Sequence, residues 1–178
     1  MLLLIVVLAV ALVVFVYFVG IYNSLVSLRE RVNQAWTQID ELLKRRHDEL
    51  PELVDACRPT MQHQQQTLDK VMRARAAVFQ ACEGGNVVAV GAAEQPLRAV
   101  LGQLLALADN HPQLKDNESF RQLRSRITGL EEAIADRRGL YNEQVRLNNT
   151  RVGQFPDVLI ARRYGFTTRP LLEFAESS

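Results

Sequence analysis

Histidine is the first residue type in this sequence that could hold a metal ion or transfer a proton. The chain has three histidines, His47, His63 and His111. Zinc ligands on one helix stand three or four residues apart, or converge with acidic side chains. His47 and His63 are far apart in the chain, and His111 directly precedes a proline. No histidine has metalloprotease spacing, so we expect surface or loop histidines, no bound metal and no cofactor.

Motifs for a catalytic nucleophile are also missing from the sequence. It contains no Gly-x-Ser-x-Gly turn and no phosphate-binding glycine loop that opens a helix. Cys57 and Cys82 fall on apolar helical repeats, where a free cysteine packs as a small hydrophobic residue. We therefore expect both cysteines in the core, no catalytic residues and no enzymatic activity.

The densest cluster of charge is Lys44, Arg45 and Arg46, followed by a histidine. Basic groups close to an anionic membrane contribute about 1 kcal/mol each to binding. This cluster lies roughly 33 Å beyond Tyr22 along a straight helix, whereas charges are screened over about 8 Å in physiological salt. We therefore prefer a solvated face that pairs with nearby acids, and a protein-docking patch is the second interpretation. The acids within reach are Asp40, Glu41, Asp48 and Glu52.

The overall charge balance bears on nucleic-acid binding. The chain has 21 basic and 20 acidic residues, a net charge of +1, and 7% aromatic residues. Proteins that bind nucleic acids typically present a basic face to the phosphate backbone. We expect no nucleic-acid partner.

The elements that must position these residues begin with an apolar run. Residues 2–19 are all apolar, and the first charged side chain is Arg29. As a helix, residues 2–22 span roughly 31 Å, close to the hydrocarbon thickness of a bilayer. A cleaved signal peptide would have a basic start, a shorter apolar run and a small-residue cleavage site. We predict an uncleaved transmembrane anchor over residues 1–22, which contacts the lipid bilayer through residues 2–22.

Positive charge flanking a span predicts its orientation. Arg29 and Arg31 follow the run, and only the amino terminus precedes it. The more basic side of a span usually faces the cytoplasm. We therefore expect a single-pass protein of the inner or plasma membrane, with its remaining residues on the cytoplasmic side.

A regular apolar stripe extends from the run through residues 21–54. Its apolar residues recur at alternating steps of four and three, which is the spacing of a coiled-coil seam. Pro51 removes an amide donor and crowds the preceding turn. We predict a helix from Ile21 to Leu50, a kink or an end at Pro51, and a candidate hinge at that proline.

Three further helical patterns follow this stripe. One runs through residues 54–82 with a bend at Pro59, and the next runs from Val87 to about Ala108, interrupted by Gly91 and Pro96. The last starts at Asn117, a good N-cap residue, and continues for about 30 residues. Short loops between such helices favour an antiparallel up-down bundle. We predict an all-α fold with about four long helices in residues 23–152.

Residues 153–178 break this pattern and form a C-terminal tail. Asp157 to Tyr164 could form one short helix, and an extended segment should follow it. Leu171, Leu172 and Phe174 are too apolar for a fully solvated end. We therefore expect that this segment is not entirely exposed to water.

Several polar residues lie on the predicted seams. A charged group in a core is costly unless it is paired. We expect Arg75 and Arg137 to pair with acids on facing helices or to extend to solvent from an edge. Polar seam positions commonly define helix register. The full set is Arg46, Gln64, Arg75, Arg137, Gln144 and Asn148.

Ordered segments along nearly the whole chain resemble the LemA family. The resemblance implies a bacterial protein with an N-terminal transmembrane helix and an antiparallel helical bundle, without a defining enzymatic activity or cofactor. It is weakest over residues 66–108. The similar segments are Tyr22–Val26, Ala35–Asp40, Leu43–Arg46, Leu50–Val54, Pro112–Phe120, Arg138–Asn142, Phe155–Pro156, Leu159–Ala161 and Gly165–Phe166.

These features favour a membrane-anchored scaffold or envelope-associated adaptor. It would act through an unidentified protein partner or through a second copy of itself. The alternative is a sensory or signal-transducing module in which Pro51 couples the span to the bundle. A hydrolase with a metal at His63 or His111 is a third and weaker hypothesis.

Overall fold

The structure is a computed structural model that describes residues 1–174. Within these residues it contains α-helices and no β-strand, so the all-α helical-bundle prediction is confirmed. A short 3₁₀ turn covers Gln62–Gln64. The α-helices are α1 (Leu2–Cys57), α2 (Gln65–Glu83), α3 (Val87–Ala108), α4 (Pro112–Lys115), α5 (Glu118–Gly153) and α6 (Asp157–Tyr164).

The chain divides into two compact units. We call residues 1–36 and 141–170 the anchor unit. The core unit contains residues 37–140 and the described residues from Leu171 onward. Both α1 and α5 contribute residues to each unit, because the unit boundaries fall within these helices.

The core unit buries a continuous set of apolar side chains. Burying a Leu, Val or Phe side chain contributes about 1.5–3 kcal/mol, so this cluster contributes a large stabilising free energy to the unit. Cys57 is fully buried in it and Cys82 packs against it, as expected for small hydrophobic residues. Burial raises the pKa of each thiol to about 11, so both remain protonated at neutral pH. Central members are Leu50, Leu53, Leu97, Leu104, Phe120 and Ile127.

Local sequence determines where several helices begin and end. Asn86 caps α3, because its side-chain oxygen accepts hydrogen bonds from the backbone N–H groups of Val88 and Ala89, both at 3.1 Å. Asn117 accepts one from the N–H of Phe120 at 3.0 Å, so the predicted cap of α5 is confirmed. Helix α3 has the predicted bounds and continues through both of its interrupting residues.

The predicted end of the first helix at Leu50 is wrong. Helix α1 continues through Pro51 and ends at Cys57. A proline in a helix leaves the carbonyl four residues earlier without its usual N–H donor. Here that carbonyl belongs to His47, and a side chain of α2 supplies the donor. The chain then turns through Pro59 into the 3₁₀ turn and α2, so the second seam is interrupted by a turn.

The anchor unit exposes almost all side chains of its apolar run. Only Phe18 is half-buried among residues 2–20, and burial begins at Ile21 and Leu25. Helix α1 is long and apolar enough to cross a membrane, and its most apolar 18 residues are not buried by the rest of the chain. Apolar contacts from Ala161 and Phe166 complete the small core of this unit.

The segment after α6 is extended and tied to α5. Asn149 accepts a hydrogen bond from the N–H of Arg169 at 2.8 Å and donates one to its carbonyl at 2.9 Å. Asn148 donates to the carbonyl of Thr167, and the Tyr141 hydroxyl donates to that of Pro170. Helix α6 corresponds to the predicted short helix, and residues 166–174 are extended as predicted. Residues 175–178 of the predicted tail lie outside the described residues.

Candidate functional site

The structure separates the three residues of the predicted docking patch. Lys44 is exposed, and its Nζ lies 2.7 Å from Oδ2 of Asp40, as the pairing hypothesis predicted. This hydrogen bond raises the pKa of Lys44 above its ordinary value. Arg45 is also exposed, but only 1% of Arg46 is accessible to solvent. Arg46 is therefore not part of a surface patch, and the docking role stays a prediction for Lys44 and Arg45.

Arg46 belongs to a charged network inside the core unit. Nη2 of Arg46 donates a hydrogen bond to Oε1 of Glu94 on α3, and the Glu94 side chain is fully buried. Nη1 of Arg46 donates a hydrogen bond to Oε1 of Glu131 on α5 at 2.5 Å. The second oxygen of Glu131 lies 3.2 Å from Nε of Arg98. Charged side chains from three helices thus pair around one guanidinium, which offsets the cost of removing it from water.

Burial and pairing act in opposite directions on the protons of this network. Burial raises the pKa of Glu94 above its ordinary value, although the charge of Arg46 opposes the shift. Burial alone would lower the pKa of Arg46, but Glu94 and Glu131 outweigh it and keep the guanidinium charged. The network requires both partners, because each charge would be costly alone in this environment.

The candidate hinge at Pro51 is held by a contact between α1 and α2. Nε of Arg75 donates to the carbonyl of His47 at 2.6 Å, and its Nη2 lies 2.7 Å from Nε2 of the same histidine. The His47 ring also stacks on Phe79, with centroids 4.4 Å apart. Arg75 is half-buried and contacts a histidine, whereas we predicted either an acid partner or extension to solvent. Whether the chain bends at Pro51 in use stays a prediction.

This arrangement requires a neutral His47. Its Nε2 can accept from the guanidinium only while that nitrogen carries no proton. Burial lowers the pKa of His47, and the positive charge of Arg75 lowers it further. The imidazole therefore remains neutral at neutral pH and can accept the hydrogen bond from Arg75.

The remaining predicted polar residues occupy simpler positions. His63 is exposed in the 3₁₀ turn, and His111 is the residue before α4, so the prediction of surface or loop positions is confirmed for both. Within residues 1–174, no group of three or more His, Cys, Asp or Glu side chains could hold a metal ion. Arg137 is exposed, and Asn148 is buried against the extended segment.

Residues 171–174 pack within the core unit. The sequence indicated only that this apolar segment would not be fully exposed to water. We call residues 171–174 the C-terminal clip. Its Leu172 is fully buried, and the Phe174 ring lies under the guanidinium groups of Arg98 and Arg138, at 5.2 and 4.5 Å from its centroid. Such cation–π contacts add directional attraction to apolar burial. Arg98 thus joins the clip to the buried charge network.

Gly91 makes room for the clip. A Cβ atom at this position would lie 2.3 Å from the carbonyl oxygen of Glu173. We interpreted Gly91 in the sequence as a weakness in a helix. The structure shows that its missing side chain permits close backbone contact, and the apolar end of the chain was the signal that could have indicated it.

In the anchor unit, aromatic residues join α6 to the end of the apolar run. The ring of Tyr22 lies 5.0 Å from that of Tyr164 and 5.8 Å from that of Phe166. Arg151 pairs with Asp157 at the start of α6 and donates to the Ser24 hydroxyl at 3.3 Å. These contacts hold α6 beside α1.

Comparison with known proteins yields one family. A model of the LemA family matches residues 35–178 of the chain. A search of curated proteins finds no match.

Proposed function

Since this chain belongs to the LemA family, we propose that it is a single-pass membrane protein whose helical bundle binds other proteins. It would serve as a scaffold or an envelope-associated adaptor. One observation carries the proposal. Helix α1 contains an exposed apolar run and also supplies buried residues to the core unit, without a break in the helix.

The exposure of this run supports a membrane anchor. Soluble proteins rarely expose a large continuous apolar surface to water, and the chain itself covers almost none of residues 2–20. Bilayer hydrocarbon would cover them without requiring any further protein contact. A variant that lacks residues 2–22 should leave the membrane fraction under alkaline extraction, whereas the full chain should stay. Retention of the shortened chain would refute the anchor.

The cytoplasmic side is the proposed location of the remaining residues. Arg29 and Arg31 follow the run and favour this orientation. A reporter that is active in only one compartment, fused to the C-terminus, tests it. Activity on the external side would reverse the orientation and leave the anchor itself unaffected.

The exposed pair Lys44 and Arg45 is the proposed protein-docking surface on α1. In-cell crosslinking of the full chain should give adducts that weaken in the variant K44E/R45E. The matched control is K70E/R73E, which reverses one exposed lysine and one exposed arginine on α2. Equal adducts from both variants would remove the docking role from this pair.

A second candidate function has its own observation. Arg75 of α2 supplies the hydrogen bond that Pro51 removes from α1, so movement of α2 and bending of α1 are physically linked. This supports the signal-transducing alternative. Under it, Pro51→Ala should change the crosslinking pattern of the anchored protein, because the restored N–H bond would resist bending of α1. An unchanged pattern would favour the scaffold.

A further inference from the structure

We propose that α6 and the preceding Phe155 form a second membrane contact, which lies in the interfacial layer of the bilayer that α1 spans. The inference rests on the proposed anchor and adds a second lipid-binding surface to it. The partner is the lipid bilayer, through its acyl boundary and anionic headgroups.

The position of α6 along α1 is the first argument. Ile160 and Tyr164 line a groove together with Phe15, Phe18 and Tyr22. These α1 residues occupy the last part of the apolar run, a length of roughly 10 Å. Amphipathic helices that lie on membranes bury their apolar face about 5–10 Å into the headgroup boundary. Helix α6 is therefore beside the part of the span that would occupy this layer.

Phe155 lies beside α1 at a similar level of the proposed span. It lines a second groove with Tyr17, Gly20 and Ile21, which also belong to the end of the run. The polypeptide from Phe155 to Tyr164 thus follows the final two turns of the proposed span. Tyrosine and tryptophan are enriched at this depth in membrane proteins, and phenylalanine is common on the apolar face of segments that lie in this layer.

Residues 155–164 expose apolar side chains on the face that does not pack against α1. Phe155 is 80% exposed, Leu159 is 52% exposed and Tyr164 is 59% exposed. The inward face packs Ala161 into the small core beside α1. Helix α6 therefore has one apolar face covered by the chain and a second that the chain leaves open. Bilayer lipid is the occupant already required beside it by the exposed run of α1.

The charges of α6 suit an anionic membrane surface. Arg162 and Arg163 are exposed at the end of the helix. The acid at the start of the helix, Asp157, is buried and paired with Arg151. The accessible charge of α6 is therefore positive, and positive charge close to a bilayer is attracted to anionic headgroups.

Tryptophan fluorescence in vesicles tests the proposal on the full chain. We would place F155W in a W36F background and reconstitute it in phosphatidylcholine vesicles that contain lipids brominated near the acyl boundary. Close contact with lipid predicts strong quenching. The matched control is V88W in the same background, since Val88 is an exposed apolar residue of the core unit, at 61%. We expect little quenching of this control.

Anionic lipid tests the contribution of charge. Adding phosphatidylglycerol should increase quenching of F155W, and R162Q/R163Q should abolish the increase. Each arginine that contacts the headgroups should change the ratio of inserted to free α6 by about fivefold. Circular dichroism of each variant checks that the helices form.

The outcomes separate this inference from the proposed anchor. Equal, weak quenching of F155W and V88W in protein that resists alkaline extraction would overturn the α6 contact and leave the anchor intact. Protein that fails to enter vesicles would refute the anchor itself. Emission of F155W that depends on the protein-to-lipid ratio and not on bromination would show that a second copy covers α6, which also overturns the proposal.

Discussion

The anchor unit and the core unit place apolar and charged side chains in opposite environments. Residues 2–20 of the anchor unit are apolar and exposed, whereas Arg46 and Glu94 of the core unit are charged and buried. A long continuous apolar surface is stable where its surroundings are also apolar, and buried charges are stable where they are paired. Under the proposed membrane anchor, bilayer lipid would cover the exposed run of the anchor unit, whereas complementary side chains pair with the buried charges of the core unit.

The largest expected effect comes from placing charge on the apolar run. Each lysine near the centre of a span opposes insertion by about 2.5–3.5 kcal/mol. V10K/V13K should therefore shift the protein from the membrane fraction to the extractable fraction, while V10L/V13L should behave as the unaltered chain. If V10K/V13K stayed resistant to alkaline extraction, the run would not be in lipid, and the contrast between the units would need another explanation.

Removing one buried carboxylate tests the core unit. Glu94→Ala leaves Arg46 with a single acid partner and should destabilise the unit by about 3–5 kcal/mol. Urea unfolding in detergent micelles, followed by circular dichroism, measures this cost. The control is Asp55→Ala, which breaks the exposed pair between Asp55 and Arg58 and should cost at most about 1 kcal/mol. Similar losses in both variants would contradict a special role for the buried network.

Substitution of two glycines of α3 by alanine should change the free energy of unfolding in opposite directions. Gly91→Ala puts a methyl group against the backbone of the C-terminal clip and should cost about 1–3 kcal/mol. Apart from the adjacent backbone of α3 itself and the two neighbouring residues, no atom lies within 4 Å of a Cβ placed at Gly102. Gly102→Ala should therefore stabilise α3 by up to about 1 kcal/mol. Unfolding measurements compare the two, and faster proteolysis of the clip in Gly91→Ala would locate the damage. Stabilisation by both substitutions would show that the clip is not closely packed.

The contact between Arg75 and His47 should depend on Pro51. Arg75→Met leaves the His47 carbonyl without a donor and should cost about 1–3 kcal/mol. In a Pro51→Ala background the helix supplies that donor, so the same substitution should cost clearly less. A double-mutant cycle on unfolding free energies measures the difference. Equal costs in both backgrounds would show that Arg75 does not compensate for the proline.

The smallest predicted effect is a pH dependence from His47. Its pKa in the folded chain is lowered from 6.5 by burial and by Arg75. The unfolded chain therefore takes up this proton first as the pH falls, and the stability that the neutral ring contributes is lost below about pH 6.5. His47→Gln should remove this part of the pH dependence in unfolding titrations. An unchanged dependence would assign it to other groups.

The sequence predicted those features that depend on neighbouring residues. The cap at Asn117 acts on an N–H group three residues away, so its residue type was sufficient. The cap at Asn86 is equally local, but we did not predict it. The apolar run needed only its length, and α6 only the proline before it and the glycine after it. The sequence placed Arg46 both on a helical seam and in a surface patch. It could not identify the acids that pair with Arg46, because they lie 48 and 85 residues away along the chain.

By itself, the sequence determined the helical fold, the family and the apolar run at residues 2–19, because these depend on composition and on short spacing along the chain. Only the tertiary structure shows which charged residues are buried, why α1 continues through Pro51, and why α3 requires a glycine at position 91. Each of these depends on an atom from a distant segment: a carboxylate for Arg46, a guanidinium N–H for His47, and a carbonyl beside Gly91. Spacing along the chain does not specify such pairs, since they form only when separate helices pack together.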